Sequence, residues 1–84
     1  MKFKTIKKGS KGTDVFVLQA AFRMLQFTGL DGKPIEIDGN AGPDTVAAIN
    51  KFQEIQRAYG YECGSGGKND SSFGPACWAR LLGE

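Results

Sequence analysis

Histidine is absent from these 84 residues, which excludes any Ser-His-Asp or Cys-His catalytic centre built within the chain. Cysteine is scarce. Cys63 and Cys77 are the only two, a poor metal-ligand set without histidine, and neither has an obvious base beside it in sequence. No apolar run approaches the ~20 residues that a membrane-spanning helix needs. The lysine-bearing N-terminus is not followed by an apolar stretch, so a signal peptide is not expected. Acidic residues are missing from the first twelve positions, which carry Lys2, Lys4, Lys7, Lys8 and Lys11. The rest of the chain is slightly acidic, so the net charge of +2 hides an uneven distribution. Such an edge can meet an anionic polymer, a membrane or nucleic acid, or simply be solvated. No aromatic stacking platform accompanies it, which counts against nucleic acid.

What is present is a loop-to-helix unit used twice. Asp38-Gly39-Asn40-Ala41-Gly42-Pro43 and Asp70-Ser71-Ser72-Phe73-Gly74-Pro75 share the same Asp…Gly-Pro spacing. Each stands before an apolar segment. Gly39 and Gly42 permit backbone angles that a side chain resists. Pro43 and Pro75 suit the first position of a helix, where no N–H is needed. Asp44 puts negative charge beside the positive end of the helix dipole.

Three helices follow. The first is expected from an N-cap at Thr13 to about residue 27, with Asp14 in its first turn. It carries one apolar stripe of Val15, Leu18, Phe22 and Leu25, and a second of Phe16, Ala20, Met24 and Phe27. So wide an arc suits a central helix, or else leaves an apolar strip for a partner. The second helix is expected from Pro43 to about residue 59, burying Val46, Ile49 and Phe52 and stopped by Gly60. The third spans 75–82 and buries Trp78, Leu81 and Leu82, with Gly83 after it. Between them, Ile35 and Ile37 alternate in a short extended piece, and Gly64-Ser65-Gly66-Gly67 reads as a flexible surface loop. The predicted fold is all-α: one domain over 1–84, a compact three-helix bundle with its core at 6–82 and a basic lead-in at 1–8. Ile6 is expected to tuck onto the core.

Several motifs fail in context. In a calcium loop starting at Asp38, the glycine position holds Pro43 and the bidentate glutamate position holds Ile49. Gly67-Lys68 lacks the earlier glycine and the hydroxyl of a phosphate loop. Gly9-Ser10-Lys11-Gly12 matches a GxxG clamp only as a string. No metal, cofactor or catalytic residue is implied. Cys63 and Cys77 can form a disulfide, worth ~3 kcal/mol if unstrained, or stand as neighbouring free thiols. Gln19 and Gln53 follow Leu18 and Phe52, and are read as long amides that satisfy buried turns and tie the helices to the glycine loops.

Gly9-Ser-Lys-Gly12, Asp14-Val15, Leu18-Gln19, Asp38-Gly39…Gly42, Thr45, Ala48, Phe52-Gln53, Asp70…Phe73-Gly74 and Trp78…Leu81 together resemble the peptidoglycan-binding domain of the PGBD-like family. The resemblance runs from about residue 6 to 82. It departs where Ser71 replaces the usual glycine, where Cys77 replaces the usual threonine, and in a longer spacer between Gln53 and Asp70.

The resemblance implies non-catalytic binding of bacterial cell-wall peptidoglycan, at the stem peptide or the glycan–peptide junction. Such modules are joined to amidases, lytic transglycosylases, muramidases or carboxypeptidases, phage endolysins included, and hold them on their polymer. Neither nucleic acid nor membrane is an expected partner. A cytoplasmic bacteriophage lysis protein awaiting release and a module of a larger secreted protein both fit. The expected ligand groove lies beside the loops, with Asp38, Asn40, Asp70 and Ser72 as orienting polar groups. Tyr59 and Tyr61 are the aromatic faces, and Arg57 and Arg80 the partners for a peptide carboxylate. The alternative is a protein-interaction module using the apolar face of the first helix.

Overall fold

The computed structural model describes residues 3–83; Lys2 of the basic lead-in lies outside them. The described residues form three helices, α1 (Thr13–Met24), α2 (Pro43–Ala58) and α3 (Pro75–Leu82). Only isolated antiparallel bridges occur among them. The architecture is an all-α three-helix bundle.

Its centre is a run of aromatic rings. Phe22 of α1 stacks on Phe27 at 5.1 Å and meets Phe73 edge-on at 5.8 Å. Phe73 touches Phe52 of α2 at 5.2 Å and stands edge-on to Trp78 of α3 at 5.0 Å. Phe3 stacks on the outer side of Trp78 at 4.3 Å. Ile6, Val15, Leu18, Ile35 and Ile49 fill the remaining space. Offset and edge-to-face pairs each contribute roughly 0.5–1.5 kcal/mol beyond area burial.

The loops that open α2 and α3 are irregular backbone held by two buried amides. Gln19 of α1 accepts the N–H groups of Asp38 and Gly39 on Oε1, at 3.0 and 2.9 Å. Its Nε2 donates to Asp38 Oδ1, Asn40 O and Thr45 Oγ1. Gln53 of α2 repeats the arrangement one loop later. Its Oε1 accepts from Asp70 N at 3.1 Å, and its Nε2 donates to Asp70 Oδ1 and Ser72 O at 2.8 Å. Only one orientation of each amide satisfies all these partners. The two glutamines act as the sequence suggests, as ties between helix and loop.

The lead-in crosses both loops. Ile6 is buried and exchanges two backbone hydrogen bonds with Phe73, at 3.0 and 2.7 Å. Gly9 N then donates to Ala41 O, Ala41 N to Ser10 O, and Gly12 N to Gly39 O. Trp78 Nε1 donates to Lys4 O at 3.0 Å, and Lys4 N to Asp14 Oδ2. The lead-in is therefore docked by its backbone, while Lys4, Lys7, Lys8 and Lys11 stay exposed.

Helix ends explain the main departures from the predicted elements. α1 stops at Met24, three residues short of the expected end. Gln26 turns left-handed at φ 65°, its N–H donates to Arg23 O, and Phe27 N donates to Phe22 O. This is a Schellman ending, which brings residue Phe27 back onto Phe22. Phe27 extends the spacing of the second stripe in sequence, but from beyond the cap it packs inward on Phe22 of the first. Thr13 is the first helical residue, with Gly12 before it as N-cap. α2 ends the same way: Gly60 is left-handed at φ 88°, its N–H donates to Arg57 O, and Tyr61 N donates to Gln56 O.

Burial corrects other expectations. Leu25 of the first stripe is 53 % exposed, and in the second Met24 is 84 % exposed and Phe16 is exposed, while Ala20 and Phe27 are half-buried. Val46 and Leu81 are half-buried, and Ile37 and Leu82 are exposed. Gly42 has an extended φ of −90° that any residue adopts, whereas Gly39 is left-handed at φ 74° and lies under the Phe16 ring, where a Cβ would come within 2.5 Å. The expected flexible loop at 64–67 is a closed turn. Ser65 and Lys68 exchange backbone hydrogen bonds at 2.9 and 3.0 Å around two left-handed glycines, the geometry of a tight type I′ turn.

Two predictions follow from this framework. Gln19→Ala leaves buried donors and acceptors of the first loop unmatched and is expected to lower unfolding free energy by about 3 kcal/mol in urea titration. At the two Schellman turns, Gln26→Gly should raise the denaturation midpoint and Gly60→Ala lower it, each corresponding to about 1 kcal/mol.

Candidate functional site

The Schellman turn at the end of α2 places its first surface partners. Gln56 lies three positions before the helix cap and Tyr61 two after it, and the turn folds one over the other. Arg80 of α3 lands on both. Its guanidinium sits 3.5 Å from the Tyr61 ring centroid, and its Nε donates to Gln56 Oε1 at 3.0 Å. Tyr59, the cap residue of α2, is 75 % exposed. Arg57 differs: its Nη1 is buried and has no hydrogen-bond partner among the described residues.

The second loop adjoins this face, because Gln53, which holds Asp70 and Ser72, is one turn of α2 before Gln56. Asp70 spends both carboxylate oxygens internally. Oδ1 accepts from Gln53 and from Ser72 N, and Oδ2 from Ser65 Oγ at 2.8 Å. Burial pushes the Asp70 carboxyl up, but the bonds from Gln53, Ser65 and Ser72 outweigh it and hold it below the usual carboxylate range. Ser71 takes the left-handed position, φ 61°, where the first loop has Gly39. Asn50 of α2 supports it: Asn50 Oδ1 accepts from Ser71 N at 3.0 Å, and its amide donates to Ser71 Oγ.

The first loop adjoins the second through the lead-in, where Ile6 pairs with Phe73 and Gly9 with Ala41, but it lies far along α2 from Tyr59. Asp38 and Asn40 precede α2, whereas Tyr59 follows it; sixteen helical residues separate them by about 24 Å. Asp38 and Asn40 border a cavity of 160 Å³ with Glu36 and Asp44. The N–H of Asn40 and then the Gln19 amide hold the Asp38 carboxyl below its usual range. Of the eight residues expected at a ligand groove, the structure gathers Tyr59, Tyr61, Arg80, Asp70 and Ser72 toward the C-terminal half of α2. It leaves Asp38 and Asn40 at the other end and turns part of Arg57 inward.

Cys63 and Cys77 are both buried free thiols. Cys77 Sγ donates to Cys63 O at 3.0 Å and lies 3.5 Å from Gln53 Nε2. It occupies the place that Thr45 has in the first loop, where Oγ1 accepts from Gln19. Burial, then the neighbouring Cys77 sulfur, pushes the Cys63 thiol up to about 12. A protonated, enclosed thiol is a packing group at neutral pH.

Two further features stand apart. Lys4 and Lys11 border a cleft of 460 Å³ against the start of α1. Val17, Met24, Leu25 and Leu82 line an apolar groove of 240 Å³ over Trp78. Gln56 and Asn50 went unread in the sequence. Their roles come from residues 24 and 21 positions away, and neither carries a local signal.

A family model described as "Putative peptidoglycan binding domain" matches residues 11–58. The chain belongs to this family. The match spans α1, the first loop and α2. No curated protein and no solved structure matches the chain. The peptidoglycan-binding domain thus keeps its buried Gln19 tie inside the matched segment, while the second loop and α3, with Arg80, follow it. No helix of the described residues is long and apolar enough to cross a membrane.

The two loop aspartates make the domain acid-sensitive. Both native carboxyls titrate below the usual value of 3.8. In the window between, the unfolded chain binds more protons, so stability falls as pH is lowered and is fully present above it. The urea midpoint should therefore be flat from about pH 7 to 5 and drop below about pH 4. Asp70→Asn, which keeps an acceptor at Oδ1, should be less stable at neutral pH and show a shallower acid drop.

Proposed function

We propose that the chain is a non-catalytic module that holds a linked or partner hydrolase on peptidoglycan. The family match carries the reading. Wall binding raises the local concentration of the attached active site at its substrate, with no chemistry required of the module itself. The module then acts at the bacterial cell wall, whether it arrives from the cytoplasm on lysis or within a larger secreted chain.

The ligand surface proposed is the face at the end of α2. Tyr59 and Tyr61 offer exposed rings to the apolar faces of sugars and to alanyl methyl groups. Arg80 adds positive charge. Ser72 and Asp70 border the face through Gln53. Asp38, Asn40 and Arg57 serve as outlying contacts at most, since the first loop lies at the other end of α2. A second reading, contact with another protein through the α1–α3 groove, is favoured by the exposure of Met24 and Leu82.

Co-sedimentation with protein-free peptidoglycan at low and high salt tests the proposal. Saturable binding that survives high salt is expected. Tyr61→Ala should weaken it by about tenfold, and Asn40→Ala should change it little. Binding lost at high salt would assign the interaction to the lysine edge. No binding to walls of several compositions would overturn wall recognition and leave the apolar groove as the functional surface.

A further inference from the structure

We infer that Arg80, stacked on Tyr61 and held by Gln56, is a preorganised clamp for a free carboxylate of the wall's stem peptide. The inference rests on the wall-binding reading and adds the chemical group that is recognised.

The argument starts from what a guanidinium needs. Arginine has five N–H donors in a planar fork and no acceptor. Fixing the plane and one edge leaves the remaining edge aimed in a set direction, which suits a carboxylate bound through two parallel hydrogen bonds. Here the plane is fixed by Tyr61, 3.5 Å below. The Nε edge is fixed by Gln56 at 3.0 Å. Nη1 and Nη2 make no hydrogen bond to a described residue, and the Arg80 side chain is half-buried rather than enclosed. Among the described residues no carboxylate pairs with Arg80, and the one ion pair is Lys51 with Glu54.

Neutral partners matter here. A carboxylate neighbour would fix the guanidinium too, but would neutralise it. An amide oxygen and a phenol ring orient it and leave its charge for a ligand. Holding the side chain before binding also removes much of the ordering entropy that a free arginine would lose. Tyr61 brings apolar surface beside the fork, matching a short peptide with small side chains and a terminal carboxylate. The glycan's hydroxyl and acetamido groups carry no charge, so among the polymer's parts it is the peptide that supplies this group.

Binding isotherms on intact wall, and on the same wall after its carboxylates are converted to amides with carbodiimide and ammonia, test the clamp. The parent chain is expected to bind amidated wall about tenfold or more weakly than intact wall, the loss typical of a charge-assisted bond. Arg80→Lys keeps the charge but removes the fork, and should bind intact wall about as weakly as the parent binds amidated wall. Amidation should then cost the variant little. Gln56→Ala keeps the full guanidinium and should weaken binding to intact wall several-fold. Melting temperatures check that the variants remain folded, and if Arg80→Lys does not fold, Gln56→Ala and the amidated wall still decide. Equal binding of the parent to intact and amidated wall would overturn the clamp while leaving wall recognition standing. Failure of the parent to bind intact wall would overturn both.

Discussion

Two buried glutamine amides set the limits within which this small bundle is built. A loop that enters the core brings backbone N–H and C=O groups with it, and each must be matched or the loop cannot stay there. Gln19 and Gln53 meet that requirement from neighbouring helices. Each accepts from the start of a loop and donates to its aspartate and to a carbonyl two residues on. The aromatic core depends on this. Phe73, which touches the rings of all three helices, sits in the second loop and can occupy the centre only because Gln53 satisfies the backbone around it.

The polar groups that look most exposed in sequence are therefore already committed. Asp38 and Asp70 frame their loops and are kept ionised by the bonds that do so. Surface chemistry is set instead by how α2 ends. The left-handed Gly60 folds Tyr61 over Gln56, and α3 supplies Arg80 to the same spot. One helix terminus thus converts a local backbone preference into a stacked ring, an amide and a guanidinium with defined mutual geometry.

Much of this was legible residue by residue. Pro43 and Pro75 mark the first residues of α2 and α3, and Gly60 and Gly83 lie just past their ends, because both signals are local backbone rules. Ile6, Gln19, Gln53 and Trp78 were placed from their type and neighbours. The readings that differ each have a tertiary cause. Phe27 was read into α1 because nothing local marks Gln26 as the left-handed residue that ends the helix and folds Phe27 back onto Phe22. Whether Leu25 and Met24 are covered was left open, because a wide apolar arc does not say which part of it the other helices cover. The glycine run at 64–67 was read as flexible, yet Ser65 and Lys68 close it. The expected groove took in Tyr59 together with Asp38 and Asn40, which the length of α2 separates, a distance that no spacing between loop residues reveals.

Sequence alone determined the three helices, the starts and stops of α2 and α3, the buried role of the two glutamines and the family, because these rest on short-range backbone preference, periodicity and motif order. Tertiary structure decided which polar groups remain available. Asp38 and Arg80 are equally plausible as ligand contacts in a linear reading. Only the folded chain shows that Asp38 is bonded into its loop and that Arg80 is held over Tyr61 by Gln56, since those partners lie 19 to 24 positions apart and meet only when the helices pack.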